Sequence, residues 1–419
     1  MVSTYPPTEC GIATFTRSLV TALSAQGTQV DVVRAVEAGQ SWPAPGVVHG
    51  LVTGSSLAAT AARLNEYDLV VVQHEYGIYG GEDGVELVAL LERLTVPVLT
   101  VLHTVLSKPT SHQRFVLQSV VAVSDLLVTM TRTARTRLVD GYRVNPADVM
   151  VIPHGAADQL LPGAQPAQGT DSGPGNTPSA APSAAPTAAR TAAPSAGGSV
   201  CSATPHRPIV LTWGLLGPGK GIEWGIAAMA TLQDMAPRPV YVVAGRTHPR
   251  VFESHGERYR DLLEAKACAL GIEDDVVFDN DYLDAERLHR LVRGADIVLL
   301  PYDSRDQVTS GVLSEAVAAG RPVVSTRFPH AVELLDNGAG LLVKQRDPEG
   351  IAAALRRILT DPGLAARLSG RTRALAPALS WQAVAGRYLA AGRAISGPGG
   401  KTRAAVADVT LPDPLAVLA

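Results

Sequence analysis

Short apolar runs rich in β-branched residues alternate with stretches of helical character on both sides of one low-complexity segment, and that alternation leaves few folds open. In the first part the runs are 68–73 (DLVVVQ), 96–102 (VPVLTVL), 126–130 (LLVTM) and 149–152 (VMVI), with helix-like stretches such as 14–25 and 84–94 between them. In the second part they are 209–213 (IVLTW), 240–244 (VYVVA), 276–278 (VVF), 297–300 (IVLL) and 322–325 (PVVS). Helices are expected there at about 222–234, 256–270, 284–293, 311–319 and 349–359. Uninterrupted apolar strands with intervening helices belong to parallel sheets covered on both faces. The predicted fold class is therefore α/β, with two Rossmann-like, doubly wound domains facing across a cleft and ligands at the carboxyl ends of the strands.

The division follows composition. Residues 1–160 form the expected first domain, 207–379 the second, 380–394 a helix returning to the first, and 396–419 a loose tail. Between the domains, 162–205 is almost entirely Pro, Ala, Ser, Thr and Gly, with an approximate repeat APSAAPTAARTAAPSA. Such a stretch buries too little apolar surface to offset its ordering entropy and is expected to be a disordered insertion. At the other end, only 2–5 precede the turn at Pro6-Pro7. A central strand usually has five or six residues, so a start further upstream is also expected.

Several classes fall away. Of 419 residues, 46% are hydrophobic and 18% charged, and the formal net charge is -3, so no bulk basic field argues for nucleic-acid binding. Cys10, Cys201 and Cys268 form no C-x-x-C pair, so neither a disulfide framework nor a structural zinc site is readable. The N-terminal residues lack a signal-peptide pattern, and no run of about 18 apolar residues occurs. A cytoplasmic location is expected, with no transmembrane segment; peripheral membrane contact through a local basic patch stays open.

Three motifs carry chemistry. Cys10-Gly11-Ile12-Ala13 stands at a strand-to-helix turn, where glycine lets backbone amides approach a phosphate. The segment 213–221 (WGLLGPGKG) nearly matches a P-loop through Gly214, Gly219 and Lys220, but Gly221 replaces the hydroxyl residue that would hold Mg²⁺. That departure argues against an ATPase or GTPase. With five lysines among 36 basic residues, Lys220 suggests a position that wants a compact ammonium. In 307–324 (QVTSGVLSEAVAAGRPVV), Thr309 or Ser310 is the expected N-cap. The amides of Gly311, Val312 and Leu313 would then meet a diphosphate, and Glu315 a ribose diol.

Further polar residues stand at strand ends: His74-Glu75, His103, His154-Gly155 and Arg246-Thr247-His248 after Gly245. The histidines lack metal-ligand spacing. Asp279-Asn280-Asp281 matches a three-letter metal pattern but reads better as the opening of the helix near Asp284.

Together the segments TYPPTECGIATFTRSL, VVQHEYGIYGG, VIPHG, GLLGPGKGIEW, VAGRTHP and SGVLSEAVAAGRPVVST resemble, in order and spacing, the retaining glycosyltransferases of family four, which have the GT-B fold. The likeness runs from residue 1 to about 392, apart from the insertion, and includes the terminal SWQ…YL segment. It implies a hexosyltransferase of carbohydrate biosynthesis, with mannose or glucose the first candidates. The sugar would move from a nucleoside diphosphate sugar to a carbohydrate or glycoconjugate acceptor, with no bound metal and no cofactor beyond the co-substrate. It also implies catalytic roles for Lys220, His103 and Glu315, and donor contacts at Gly11, Gly214, Gly245, Arg246, Gln307, Ser310, Gly311, Val312 and Leu313. His74 and Glu75 are the acceptor-side candidates. Two positions depart from the family pattern: Leu215 stands where many relatives have arginine, and Gln307 where many have glutamate. They motivate two alternatives: a degenerate homologue that binds nucleotide-sugar or glycan without turnover, and a GT-B-like nucleotide-sugar epimerase.

Overall fold

Each β-branched run becomes a strand with both faces covered. The computed structural model describes residues 1–163 and 206–397, apart from Ser55, Ser56, Tyr282 and Arg305. The stretch read as 162–205 and the tail 396–419 lie outside the described residues except for two residues each.

The first sheet has seven strands in the spatial order β3 (Val47–Val52), β2 (Val32–Val36), β1 (Val2–Ser3), β4 (Val70–His74), β5 (Val98–Leu102), β6 (Leu126–Thr129) and β7 (Val149–Val151). The second has six: β10 (Val276–Asp279), β9 (Val240–Ala244), β8 (Ile209–Trp213), β11 (Ile297–Leu300), β12 (Val323–Thr326) and β13 (Gly340–Val343). Every pairing in both sheets is parallel. The strand order reverses between β1 and β4 in one sheet and between β8 and β11 in the other. Those are the points where a doubly wound sheet opens a crevice at its strand ends.

Helices α1 (Gly11–Ala25), α2 (Leu57–Leu64), α3 (Glu86–Leu91), α4 (Ser111–Ala122) and α5 (Arg132–Thr136) connect strands of the first sheet. In the second, α6 (Ile222–Ala230), α7 (Pro249–His255), α8 (Arg258–Ala269), α9 (Ala285–Gly294), α10 (Gly311–Ala318) and α11 (Pro329–Leu335) do the same, followed by α12 (Pro348–Thr360) and α13 (Pro362–Leu379). The last described helix, α14 (Trp381–Ser396), crosses back. Its Trp381, Val384, Tyr388 and Ile395 bury against Phe15, Leu19 and Leu23 of α1. Large side chains buried this way contribute about 1.5–3 kcal/mol each, enough to hold the return. At the crossing, Ala156 donates its amide to Leu379 O (2.7 Å) and accepts from Trp381 N (3.2 Å), so the two chains that join the lobes touch.

Some elements differ from expectation for local reasons. Helix α1 starts at Gly11, not 14, because the Cys10 sulfur accepts the amide of Ala13 and caps it. The missed strand β2 carries Arg34 in its middle, which breaks the apolar pattern. The structure buries that guanidinium and pairs it with Thr8 Oγ1 (2.9 Å) and the carbonyl of Ser41 (3.3 Å). Asp279 and Asp281 form ion pairs with Arg287 (2.8 and 2.6 Å), and Asp284 caps α9.

Candidate active site

Three loops of the second lobe interlock through glycines to form one wall of the cleft. Gly245, after β9, has φ +130, and a Cβ there would lie 2.1 Å from the Gly214 carbonyl oxygen. Gly221, which opens α6, has φ +66, and its Cβ would lie 1.9 Å from the Pro301 oxygen after β11. Both positions therefore need glycine for close approach as well as for conformation. The packing brings Lys220 over the ring of Tyr302, with Nζ 4.4 Å from the centroid. Among the described residues no carboxylate pairs with it. The ammonium is thus held by an aromatic face and left available to an anion.

Helix α10 begins beside it. Ser310, not Thr309, is the cap: its hydroxyl accepts Leu313 N (3.2 Å), while its own amide donates to Nδ1 of His330 (2.9 Å). This corrects the expectation of three free amides. Capping takes up Leu313, and the amides of Gly311 and Val312 are the two without a partner among the described residues. Gln307 turns its amide nitrogen onto the carbonyl of Thr309 (2.9 Å), within its own loop. Glu315 lies inside the wall and accepts from Trp213 Nε1 (3.2 Å). Burial pushes its carboxyl up to about 7, with the tryptophan bond pulling the other way.

The first lobe offers a different surface. At Gly11 a Cβ would meet nothing within 4 Å, so the start of α1 leaves open room. His103 pairs Nε2 with Gln73 Oε1 (2.8 Å) and sets its ring edgewise to Phe15 at 5.0 Å. The amide oxygen can only accept, so Nε2 carries the proton and Nδ1 is an acceptor. Burial, then His154 and His74, lower its pKa to about 3 and keep it neutral. His154 donates Nδ1–H to Gly155 O (2.6 Å) and packs its ring against Gly311, where a Cβ would come within 2.9 Å of it. Glu75 accepts from Thr104 Oγ1 (2.6 Å) and Tyr76 N (2.9 Å), and burial raises its pKa.

His74 departs from its expected role. It is 1% exposed and burial lowers its pKa to about 4, so an acceptor in the cleft does not touch it. The ring lies edgewise to Tyr76 at 5.2 Å. As the last residue of β4 it is buried, and the half-buried Glu75 follows it.

The lobes also touch on both flanks of the cleft. On one flank, Arg246 places Nη1 3.1 and 3.0 Å from the two carboxylate oxygens of Glu9, and Arg250 reaches the carbonyl of Gly77. On the other, Glu333 accepts the amides of Arg132 (2.8 Å) and Thr133 (3.1 Å) at the start of α5. Ser107 there donates to Asp306 (2.5 Å). Sequence reading missed Glu9, Glu333, Asp306, Arg250 and His330. Their partners lie 20 to 237 positions away, beyond the reach of any local pattern.

Two family profiles match the chain: "Glycosyltransferase Family 4" over 10–159 and "Glycosyl transferases group 1" over 202–375. A D-inositol 3-phosphate glycosyltransferase of Acidothermus cellulolyticus is 29% identical over 255 residues, which cover 59% of this chain and 48% of that protein. A protein of the same name from Segniliparus rotundus is 26% identical over 422 residues, covering 92% of this chain and 84% of the relative. Among solved structures, Anabaena HepE in complex with UDP and glucose superposes with a TM-score of 0.66 at 14% identity, covering 93% of this chain and 98% of that one.

Proposed function

We propose, from the premise that this chain belongs to the GT4-type glycosyltransferases and has their GT-B fold, that it moves a hexose from a nucleoside diphosphate sugar to a carbohydrate or glycoconjugate acceptor. Mannose and glucose are the first sugars to test. The relatives named for inositol 3-phosphate put a phosphorylated polyol among the first acceptors. Retention of the anomeric configuration follows from the resemblance to the retaining family.

One observation carries the reading. Lys220, on the loop after β8, sets its ammonium over Tyr302 of the loop after β11, and that second loop leads into the partnerless amides of Gly311 and Val312, with Val312 Cγ2 3.5 Å from where a Cβ on Gly214 would stand. As the sugar–phosphate bond breaks, negative charge grows on the departing diphosphate. A fixed ammonium and two oriented N–H groups then stabilise the transition state more than the ground state. Glu315 accepts from the ribose hydroxyls, and binding there favours the ionised carboxylate. Across the cleft, the neutral His103 offers Nδ1 to a sugar hydroxyl, and Glu75 stands on the acceptor side. The leaving-group charge is assigned to these groups, so the reading calls on no resident metal or cofactor. Among the described residues no helix is long and apolar enough to cross a membrane.

The test has two parts. A thermal-shift screen of UDP, GDP and ADP identifies the nucleotide, since a ligand that binds the native state raises its melting point. Donor cleavage is then followed by NMR with and without sugar acceptors. Binding with cleavage and an α-linked product from an α-linked donor supports the proposal. Binding without cleavage under any condition points to a degenerate homologue, an epimerised donor to an epimerase, and no nucleotide binding overturns the site.

A further inference from the structure

The cleft holds one ion pair whose acid stands where an anionic ligand would arrive. Glu9 immediately precedes Cys10-Gly11, and its carboxylate takes Arg246 Nη1 through both oxygens at 3.1 and 3.0 Å. Both side chains are about half exposed, at 43% for Glu9 and 50% for Arg246. Arg246 belongs to the same wall as Lys220. Its carbonyl accepts Leu216 N (2.8 Å), and Lys220 N in turn donates to Gly217 O (3.2 Å), so the two cationic residues rise from adjoining loops. Position 215, next to Leu216 on the same loop, contributes an apolar leucine.

We infer that Glu9 is a positioning residue that holds Arg246 in the empty cleft and surrenders it to the donor's diphosphate. The inference rests on the functional reading above. An exposed ion pair contributes little stability, so it gives way easily. A diphosphate offers the guanidinium more charge and several acceptor oxygens, a stronger and better-fitting partner than one carboxylate. Arg246 thereby supplies a second cation on the side of the diphosphate away from α10. Because Glu9 sits in the first lobe, the exchange also releases one of that flank's contacts between the lobes, leaving Arg250 on the carbonyl of Gly77. The opposite flank, held by Glu333 on the start of α5, keeps its contacts.

The experiment is a double-mutant cycle read by calorimetric titration of the nucleoside diphosphate that stabilises the wild type best. Glu9→Gln removes the competitor and should tighten binding about threefold to tenfold. Arg246→Gln should weaken it about tenfold. In the Glu9→Gln/Arg246→Gln protein the gain from Glu9→Gln should vanish, an outcome that a merely structural Glu9 would not produce. Arg246→Lys serves as a second variant, keeping the charge while losing the fork, and should bind between wild type and Arg246→Gln. The corresponding nucleoside without phosphates should bind the wild type and all four variants alike. Unchanged or weaker binding by Glu9→Gln, or a gain that persists without Arg246, overturns the inference while leaving the glycosyltransferase reading intact. Failure of the wild type to bind any of UDP, GDP and ADP overturns that reading instead.

Discussion

The two walls of the cleft are built from opposite electrostatic materials. The second lobe presents an ammonium, a guanidinium and helix-start amides, all placed by glycines that lock neighbouring loops together. The first lobe presents groups that burial biases toward their neutral forms: His103 at about 3, His154 at about 4 and Glu75 raised. The difference teaches which wall does which work. On the proposed reading, charge that develops during bond breaking is met by the second lobe, whose preorganised positive groups would lower the barrier. On the same reading, the first lobe meets the donor's sugar by shape and by neutral hydrogen bonds.

Removing the ammonium breaks this contrast most severely. Lys220→Ala should lower kcat about 10²–10³-fold, the loss typical of one oriented stabilising group at a developing oxyanion. Its KM for donor should move less, because the charge on the diphosphate grows in the transition state. Single-turnover kinetics would check this. A loss confined to KM would mean that the lysine merely binds.

The next largest effect concerns the scaffold. Gly245→Ala forces a Cβ against the Gly214 oxygen at a φ that side chains rarely adopt. It should destabilise the protein by about 1–3 kcal/mol and loosen nucleotide binding with it. The equivalent change at Gly11, with open space and no positive φ, should leave the melting temperature within about a degree. Calorimetry on both variants separates a glycine needed for packing from one needed for ligand access.

This contrast also explains what could be read from the sequence. Alternating apolar runs announce parallel strands because both faces of each strand must be buried, and the glycine spacing around Lys220 announces a tight strand-to-helix turn. The turn into α6 and the start of α10 were therefore legible in WGLLGPGKG and SGVLSE. Leu313 was misjudged because a hydroxyl cap and a free amide look alike until the hydrogen bond is seen. His74 was misjudged because a strand's last residue gives no sign of which face it takes. Glu9 with Arg246, and Glu333 with α5, are pairings between lobes. They depend on how two separate sheets meet, which no local pattern encodes.

Glu315 sharpens the comparison from inside the charged wall. Its carboxyl titrates at about 7 in the native protein, against about 4.3 in an unfolded chain. Between those values the native state keeps a proton that the unfolded state has released. Stability from this group is thus complete below the lower value and is lost as pH rises through the upper one. Glu315→Gln retains an oxygen for Trp213 and removes the ionisation. Its melting temperature relative to wild type should therefore be higher at about pH 8 than at about pH 5. Donor KM should rise about threefold to tenfold, since an amide is a weaker acceptor for ribose. That is a far smaller change than at Lys220, and an equal effect on kcat would undo the assignment of roles.

The smallest effect belongs to the neutral wall and is a flat line. With His103 and His154 held near 3 and 4, neither gains a proton in the range where an ordinary histidine titrates. Measured in the Glu315→Gln background, which removes the titration near 7, kcat/KM for donor should show no inflection between about pH 5.5 and 8. Stability should behave otherwise. Below about 6.5 the unfolded chain takes up protons that these buried rings refuse, so stability is full above that value and declines as pH falls toward their native pKa values. An inflection in kcat/KM near 6.5 that disappears in His103→Gln would show a charged imidazolium at work, and the first lobe would then share the electrostatic task assigned to the second.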